Sequence, residues 1–460
     1  MPPARPVSGR PSAAQARLVT GSTMQHVVGM TFAGSIGLLA IFFVDFLSLF
    51  YIAMLKDERL TAGVGYATTV LFFAIAVNVG LMIASSALVA RHLGAGATDE
   101  ARRLAGSGAV LAAVSATAVS ALMLAALPAI LSLLGAEGPA REVASRFLWI
   151  TLPANALMAI GMVLSGTLRA LGDARRAMMV TLIGGIATAG LDPLFIFGLG
   201  MGTDGAALAT VLSRVIFCLV GWQGVVRHHG MMARPRVADL KRHAAPLVGI
   251  AIPAVLTNIA SPVASAFILS VARNFGDAAV AANTIIDRLV PLAFCVIFAL
   301  SGSIGPILAQ NLGAGRHDRV RQAMKDAALF AVGYCLLVWG VLALSHGSIA
   351  AMFGASAETA RYIGFFCLFG AAAWVFNSLM FVANAAFNNL GFPIYSTLFN
   401  WGRATLGTMP FALAGAHFGG YPGVMLGVIA GWALFGIASL ITAFAAIGRL
   451  AQQKAAPEGG

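Results

Sequence analysis

The sequence consists largely of long apolar runs, which recur from residue 27 to residue 448. Hydrophobic residues make up 59% of the chain and charged residues only 10%, against roughly a quarter charged in an ordinary soluble domain. A helix needs about 20 apolar residues to cross a hydrocarbon core of about 30 Å. Helices also satisfy their own backbone hydrogen bonds inside a bilayer. We therefore predict an all-α integral membrane protein.

The apolar runs divide into twelve predicted transmembrane helices, centred near residues 41, 77, 119, 157, 188, 216, 258, 294, 335, 373, 405 and 435. Helices 1–6 form an N-lobe over residues 25–226, a basic cytoplasmic linker follows at 227–244, and helices 7–12 form a C-lobe over 245–448. Residues 1–24 lack the apolar core of a signal peptide. We expect a disordered cytoplasmic leader there and a cytoplasmic tail at 449–460.

The two lobes carry the same short motifs at one fixed spacing. Gly94 and Gly313, both in LGAG, are 219 positions apart (313 − 94), and the same offset carries Gly172 of LRALGD onto Gly391 of FNNLGF. Two matches at one offset indicate an internal repeat. Since each lobe has six helices, the repeat is parallel, with a pseudo-two-fold axis along the membrane normal. This architecture suits alternating access, and LGAG either turns the chain or takes part in gating.

The positive charge of the chain has a topological explanation. Of the 29 Lys and Arg residues, 20 fall on the side of the predicted termini, six on the other side and three within spans. Such a bias places both termini in the cytoplasm and explains the net charge of +12 without a nucleic-acid partner. We expect a multi-pass protein of the plasma or inner membrane.

Only three of the 17 acidic residues fall within predicted spans: Asp45, Asp192 and Asp287. An acid at a helix centre costs about 2.5 to 3.5 kcal/mol on insertion scales, so these side chains should face the bundle interior or a water-filled cavity. Burial favours the protonated acid, and a second carboxylate nearby favours it further. If Asp45 and Asp192 share a pocket, they titrate as one pair and can carry a proton. The alternative is a structural acid at a broken helix.

Asp192 directly precedes Pro193, and Thr188 lies four residues earlier on the same predicted helix face. Proline removes a backbone donor and perturbs the turn before it. We therefore predict a local helix break that lines a polar cavity. Oxygen ligands at such a site also suit Na⁺, a hard cation, so Asp45 and Asp192 are alternatively a Na⁺ site.

The motifs resemble those of the multidrug and toxic compound extrusion (MATE) family of secondary transporters. The resemblance covers about residues 25 to 447 and is carried by the doubled LGAG, the VD of the first span, SGTLRALGDARRAMM and LDPLFIFGLGMGTDGAALATVLSR. It implies a twelve-helix exporter that exchanges organic cations for H⁺ or Na⁺. The ion-coupling residues that it implies are Asp45, Asp192, Ser165, Thr188 and Thr210. Hydroxyls stand where the family typically has two asparagines, which leads us to prefer H⁺ over Na⁺.

A cationic, apolar cargo needs an acid and an apolar or aromatic wall. Asp287, with Asn283 one turn before it, is the candidate acid, although an ion pair with another helix is an equal alternative. The candidate wall residues, each of which ordinary packing would also explain, are Phe42, Phe43, Met162 and Trp374. We expect small organic cations and the lipid bilayer as partners, a monomer, and no cofactor besides the coupling ion.

Other functions have weaker support in the sequence. A membrane enzyme would need a catalytic motif, and neither H-E-x-x-H nor G-x-S-x-G is found. The phosphate-binding loop G-x-x-x-x-G-K-[ST] is also missing, which argues against direct use of ATP. A flippase for lipid-linked saccharides has a similar bundle but would favour arginines in its cavity. A channel would lack coupled movement.

Overall fold

The computed structural model describes residues 16–455, and the regular secondary structure within that range is helical. Its α-helices are α1 (Thr23–Ala53), α2 (Glu58–Gly94), α3 (Thr98–Ala125), α4 (Leu127–Leu133), α5 (Gly138–Thr151), α6 (Asn155–Ala170), α7 (Ala174–Pro193), α8 (Gly202–Trp222), α9 (Val237–Ala272), α10 (Asp277–Ala293), α11 (Cys295–Gly313), α12 (His317–Met352), α13 (Ala357–Phe365), α14 (Ala371–Leu390), α15 (Pro393–Gly402) and α16 (Met409–Ala455). Short π-helical segments extend several of them, at Leu194–Gly198, Gln223–His228, Phe366–Gly370 and Arg403–Gly407.

The helices confirm a multi-pass membrane fold. Ten helical stretches in the described range are long and apolar enough to cross a bilayer, and the pair α5–α6, bent by 56°, is an eleventh. The last stretch, Pro393–Gln452, has 60 residues, or about 90 Å at 1.5 Å per residue, which is far longer than one span. Its geometry is non-helical at Gly419 and Gly420. The predicted number of twelve is reached only when this stretch is divided there.

The helices pack as two lobes, α1–α8 and α9–α16. In the N-lobe α1 packs against α7 and α2 against α6, and in the C-lobe α14 packs against α11, α12 and α16. The C-lobe has one large buried apolar core, which includes Phe294, Phe387 and Tyr421. The N-lobe has two cores, one around Leu164 and the other around Leu148. The C-lobe core also includes residues of α1, and the core around Leu164 includes residues of α9 and α11, so apolar packing also joins the two lobes.

The lobes touch closely where α2 and α11 end, at the end of the bundle where α1 begins. We call this the terminus end. A Cβ on Gly94 would overlap the carbonyl oxygen of Gln310, and one on Gly313 would overlap the carbonyl oxygen of Arg91. The 219-residue offset relates these two contacts to each other. The contact of Arg91, Gly94, Gln310 and Gly313 is here called the glycine crossing, and its close approach requires glycine at both positions.

Two hydrogen bonds across the lobes follow the same symmetry. Gln310 donates through Nε2 to the carbonyl oxygen of Ala170 at 2.6 Å, and Arg91 donates through Nη2 to that of Asn389 at 2.8 Å. Both pairs are again related by 219 positions. The terminus end is thus closed by reciprocal contacts from both lobes. The LGAG motif ends a helix in each lobe and also lies in the interface between the lobes.

The predicted disordered leader is wrong over its described part. Leu18 is only 2% exposed. Its N–H donates to Gln310 Oε1 at 3.0 Å, and its carbonyl accepts a hydrogen bond from Asn311 Nδ2 at 3.1 Å. The segment before α1 therefore packs on the glycine crossing, because it satisfies polar groups there. Residues 1–15 lie outside the described residues.

Two further boundaries differ from the prediction. Helix α9 begins at Val237, inside the linker predicted at 227–244, so the second half of that linker is helical. Helix α16 continues to Ala455, well into the tail predicted at 449–460. Residues 456–460 lie outside the described range. Both differences arise because amphipathic or charged helix ends continue beyond the apolar core that the sequence analysis used.

The repeat is visible in the backbone of the two motifs LRALGD and FNNLGF. Gly172 (φ 77°) and Gly391 (φ 101°) are both left-handed and end the preceding helix, as glycine does in helix C-terminal motifs. In the N-lobe, Asp173 then accepts a hydrogen bond from the backbone N–H of Arg176 at 3.1 Å and caps α7. Burial alone would raise the pKa of Asp173, but hydrogen bonds from Arg176 and His229 hold it below its usual value.

The glycine crossing yields a prediction for stability. Gly94→Ala and Gly313→Ala should each place a methyl group against a backbone carbonyl of the other lobe and cost about 1 to 3 kcal/mol of stability. Both variants should therefore unfold at a lower Tm in detergent.

Gly333→Ala is the matched control, because nothing lies within 4 Å of a Cβ at that position of α12. Alanine is preferred over glycine inside a helix by about 0.5 to 1 kcal/mol, so the control Tm should be unchanged or higher. Equal Tm values for all three variants would contradict the crossing.

Candidate functional site

Asp192 is buried in the N-lobe at the end of α7. Its side chain is 1% exposed, and its carboxylate accepts a hydrogen bond from Ser48 Oγ of α1. After Pro193 the chain continues as the π-helical segment Leu194–Gly198, in which Leu199 N–H donates to the Leu194 carbonyl at 2.9 Å. The predicted helix break is therefore a change to π-helical geometry directly after the buried acid, and the helical stretch continues to Gly198.

Asp45 points away from the hydrophobic stripe of α1. That stripe consists of exposed large side chains at heptad-like spacing: Phe32, Ile36, Leu39, Phe43, Phe46 and Phe50. Adjacent helix positions differ by about 100°, so Asp45, two positions after Phe43, points about 160° away from it. The side chain of Asp45 is exposed, and it faces the side of α1 opposite to this stripe. Its direction fits the predicted polar environment.

Ser48 lies next to both acids. It donates to Asp192, and it follows Asp45 by three residues, a spacing that brings Cβ atoms to about 5 to 6 Å on a helix. Ser48 thus contacts Asp192 of α7 and neighbours Asp45 on α1, while Asp45 makes no hydrogen bond to Asp192 in the described range. We call Asp45, Ser48 and Asp192 the carboxylate patch. Ser48 is not among the residues predicted for the site, although its spacing of three from Asp45 is visible in the sequence.

Measured along the helix axes, Thr188 and Thr210 lie within about one helical turn of the level of Asp192. Thr188 is four residues before Asp192 on α7. Gly205 of α8 packs against Phe195, so Thr210, five residues deeper, reaches roughly the level of Asp192 in this antiparallel pair. The threonine hydroxyls donate to their own helices, to Gly184 at 3.1 Å and Ala206 at 2.9 Å. Their oxygen lone pairs remain free to accept a proton donor or ligate a cation.

Ser165 is not part of the carboxylate patch, and its assignment as an ion-coupling residue is wrong on geometry. Its hydroxyl donates to the carbonyl of Ala177 at 3.5 Å. Ala177 is 15 residues before Asp192 on α7, or about 22 Å along the helix at 1.5 Å per residue. Ser165 therefore lies near the terminus end. The sequence alone did not fix the register between α6 and α7.

The opposite end of α6, far from the terminus end, contains a buried asparagine. Asn155 begins α6 and is completely buried, and its Oδ1 accepts a hydrogen bond from Asn78 Nδ2 at 2.8 Å. Gly161 packs on Phe217, and this register between α6 and α8 places Asn155 within about one turn of the level of Thr210. The signal available in the sequence was a lone amide inside an apolar run.

The second candidate site is a C-lobe cavity of about 590 Å³. Three of the predicted substrate contacts line it together: Asp287, Asn283 and Trp374. Asn283 Nδ2 donates to Asp287 Oδ2 at 3.0 Å. Trp374 stacks on Phe294 with ring centroids 4.4 Å apart. The cavity extends to the N-lobe through Phe72 and Ile83 of α2, so it adjoins the region between the lobes.

The remaining wall residues lie elsewhere. Phe43 is 63% exposed on the hydrophobic stripe of α1, Met162 packs on the N-lobe core around Leu164, and neither they nor Phe42 line the C-lobe cavity. The structure therefore does not bring Phe42, Phe43 and Met162 together with Asp287 and Trp374 in this cavity. Aromatic and methionine side chains in apolar runs do not reveal from sequence alone whether they face lipid, core or cavity.

Asp287 makes no ion pair with a basic side chain within 4.0 Å in residues 16–455. The alternative of an ion pair between helices is therefore wrong at this distance. The same cavity contains Arg403, which is only 6% exposed and donates through Nη2 to Ser261 Oγ at 3.1 Å. The cavity thus holds one acid and one base that do not neutralise each other by direct contact.

Comparisons with known proteins agree with this architecture. A family model described as MatE matches residues 35–194 and 253–413, one segment in each lobe. A protein of Shewanella oneidensis named "FAD transporter" is 28% identical over 421 residues, which cover 90% of this chain and 92% of that protein. "Multidrug export protein MepA" of Staphylococcus aureus is 25% identical over 65% of this chain and 67% of its own length.

A solved structure has the same fold. It is described as the outward-facing conformation of a multidrug resistance MATE family transporter of the MOP superfamily, and it superimposes with a TM-score of 0.89. The alignment covers 96% of this chain and all of that chain at 23% identity. At this level of identity the likeness concerns the fold.

The carboxylate patch can be tested through stability. Ser48→Ala should leave the buried carboxyl of Asp192 without its hydroxyl partner, at a cost of about 1 to 3 kcal/mol, and so lower the Tm. Ser48→Thr keeps the hydroxyl and should cost less.

A double-mutant cycle isolates the contact. In an Asp192→Ala background, Ser48→Ala should have a much smaller effect, since the partner is already absent. Additive shifts in Tm would show that the two side chains do not interact.

Proposed function

The chain belongs to the MATE family of membrane transporters, and from this we propose that it exports small organic molecules in exchange for H⁺ or Na⁺ by alternating access. The carboxylate patch carries the proposal. Its buried acid, Asp192, is held by a hydroxyl from another helix, while Asp45 faces away from the hydrophobic stripe of α1. Acids kept away from lipid inside a transporter bundle are typical of ion relays.

Alternating access requires that the lobes separate at one end while they close at the other. The glycine crossing and the two reciprocal hydrogen bonds close the terminus end. For cargo to enter from that end, these contacts must break. We propose that ion binding at the carboxylate patch biases this movement, since α1 contacts both α7 of its own lobe and α11 of the other lobe.

We propose H⁺ as the coupling ion in preference to Na⁺. Asp192 is buried, and burial favours the protonated form of a carboxyl group. A second carboxylate on the adjoining helix, Asp45, favours retention of that proton further. A Na⁺ ion would instead need several oxygen ligands around Asp45 and Asp192, with the hydroxyl of Ser48 in contact with Asp192 and those of Thr188 and Thr210 within about one helical turn of its level. One charge moved down 100 mV supplies about 2.3 kcal/mol, which corresponds to roughly a 50-fold gradient of cargo.

We further propose that the termini are cytoplasmic, that the protein resides in the plasma or inner membrane as a monomer, and that it catalyses no chemical reaction. The positive-inside bias of the loops supports this orientation. The flippase alternative is favoured by a basic cavity, whereas this cavity contains the acid Asp287 as well as Arg403.

The cargo has two candidates. A cationic or amphiphilic organic compound is favoured by Asp287 and the aromatic wall around Trp374, and the similar protein MepA is named as a multidrug exporter. A flavin nucleotide is the second candidate, because the relative named as a FAD transporter aligns over 90% of this chain. Arg403 in the cavity is the observation that favours this anionic cargo.

Imposed ion gradients test the coupling. Proteoliposomes loaded with a cationic dye and given either a proton gradient or a Na⁺ gradient should release the dye faster under the proton gradient, with empty liposomes as the control. Release driven by the Na⁺ gradient alone would overturn the preference for H⁺.

Asp192→Asn should abolish gradient-driven transport while the protein still folds, since the amide retains the shape of the side chain but cannot exchange a proton. Asp204→Asn is the matched control. Asp204 lies in the same lobe but forms a surface ion pair with Arg146 at 2.6 Å, so transport should be retained. Unchanged transport in Asp192→Asn would remove this residue from the mechanism.

A further inference from the structure

The C-lobe cavity is lined by amide side chains to a degree that a simple cation does not require. The amides that face it are Asn258, Asn283, Asn377, Asn384, Asn388 and Asn400. Each amide presents a carbonyl acceptor and an NH₂ donor. Such a lining suits a ligand whose edge carries both donors and acceptors, as the rings of nitrogen heterocycles do.

Four side chains that line this cavity have polar atoms without a hydrogen-bond partner among residues 16–455: Trp374 Nε1, Asn377 Oδ1, Asn388 Oδ1 and Arg403 Nε. Each of these side chains is more than nine-tenths buried, at 5% or 6% exposure. Buried polar groups are nearly always paired in native proteins. These four atoms line one cavity and are therefore available to hydrogen-bond a ligand that enters it.

Charge narrows the class of ligand further. Arg403 is buried, its only side-chain hydrogen bond in the described range goes to a neutral hydroxyl, Ser261 Oγ, and no carboxylate lies within 4.0 Å of it. A buried guanidinium is strongly stabilised by an anion that accepts two of its parallel N–H groups. Asp287 lines the same cavity but is satisfied in part by Asn283. Arg403 is thus the charge in greater need of a partner.

An aromatic wall completes the site. Trp374 stacks on Phe294 and meets Trp432 edge-on with ring centroids 5.9 Å apart. Phe298 lies 6.0 Å from Trp374, also edge-on. Trp432 and Phe298 line the cavity as well. These rings form an aromatic wall against which a planar ligand can stack or pack edge-on.

We propose that this cavity binds a planar nitrogen heteroaromatic ligand that carries an anionic group. The anionic group pairs with Arg403, the polar edge of the ring bonds to Asn377 and Asn388, and the ring itself packs among Trp374, Trp432 and Phe298. The assignment of this ligand as cargo rests on the proposed transport function. The binding site itself does not depend on ion coupling.

Equilibrium dialysis of the detergent-solubilised full chain tests the site with two fluorescent probes, riboflavin and riboflavin 5′-phosphate. They share one planar ring and differ by a phosphate. The wild-type protein should bind the phosphate ester more tightly, on the order of 10- to 100-fold, as expected for a hydrogen-bonded charge pair. Equal affinity for the two probes would overturn the proposal.

Arg403→Gln should remove this preference and leave the affinity for riboflavin within about twofold. Arg403→Lys, which keeps the charge without the planar fork, should retain part of the preference, and it carries the test if the glutamine variant fails to elute as a folded monodisperse species. Arg288→Gln is the matched control. Arg288 follows Asp287 but does not line the cavity, so the preference should persist.

An equal loss of both probes in Arg403→Gln and Arg403→Lys would show a structural role for the side chain and overturn the assignment. Because binding is measured without an ion gradient, its failure is distinct from a failure of coupling. Proton-driven transport without binding of the probes would overturn the binding site alone. Binding of the probes without proton-driven transport would overturn the coupling alone.

Discussion

Polar groups inside a bilayer must find a partner or a water-filled space, and this constraint decides where the chain places them. The acid Asp192 meets Ser48, the amides of Asn78 and Asn155 meet each other, and Arg214 donates to the carbonyl of Thr151 at 2.6 Å. The exposed apolar side chains of α1 lie on one stripe, and Asp45 points away from it. The polar groups of the N-lobe therefore lie inside the bundle, away from lipid, where we propose that the coupling ion binds.

The two lobes share backbone features but differ in their polar side chains. The 219-residue repeat conserves the glycine crossing and the left-handed Gly172 and Gly391. The positions that correspond to Asp45 and Asp192 are Ala264 and Phe411, so the C-lobe has no acids there. Its own acid and base, Asp287 and Arg403, line a cavity instead. We therefore propose that the N-lobe holds the ion and the C-lobe the cargo, and that contacts between the lobes link the two events.

Hydrophobic runs and a repeated motif were sufficient to predict the helical membrane fold, the two lobes and the three intramembrane acids. Interhelical register was not predictable, and for that reason Ser165 was placed beside Asp192 while Asn155 was overlooked. The orientation of apolar side chains was equally hidden, since Phe43 and Asp45 lie two residues apart yet face opposite sides of α1. Leu18 shows the same limit, because nothing local in its sequence reveals the polar groups that it covers.

We propose that Asp45 and Asp192 hold and release a proton as one unit. Proton release on cargo binding, measured in weakly buffered detergent solution near neutral pH, tests it most directly. The account predicts release of about one proton per bound molecule from the wild type, as for a coupled pair, and none from Asp45→Asn or Asp192→Asn. Undiminished release from a variant that lacks both carboxyl groups would contradict it.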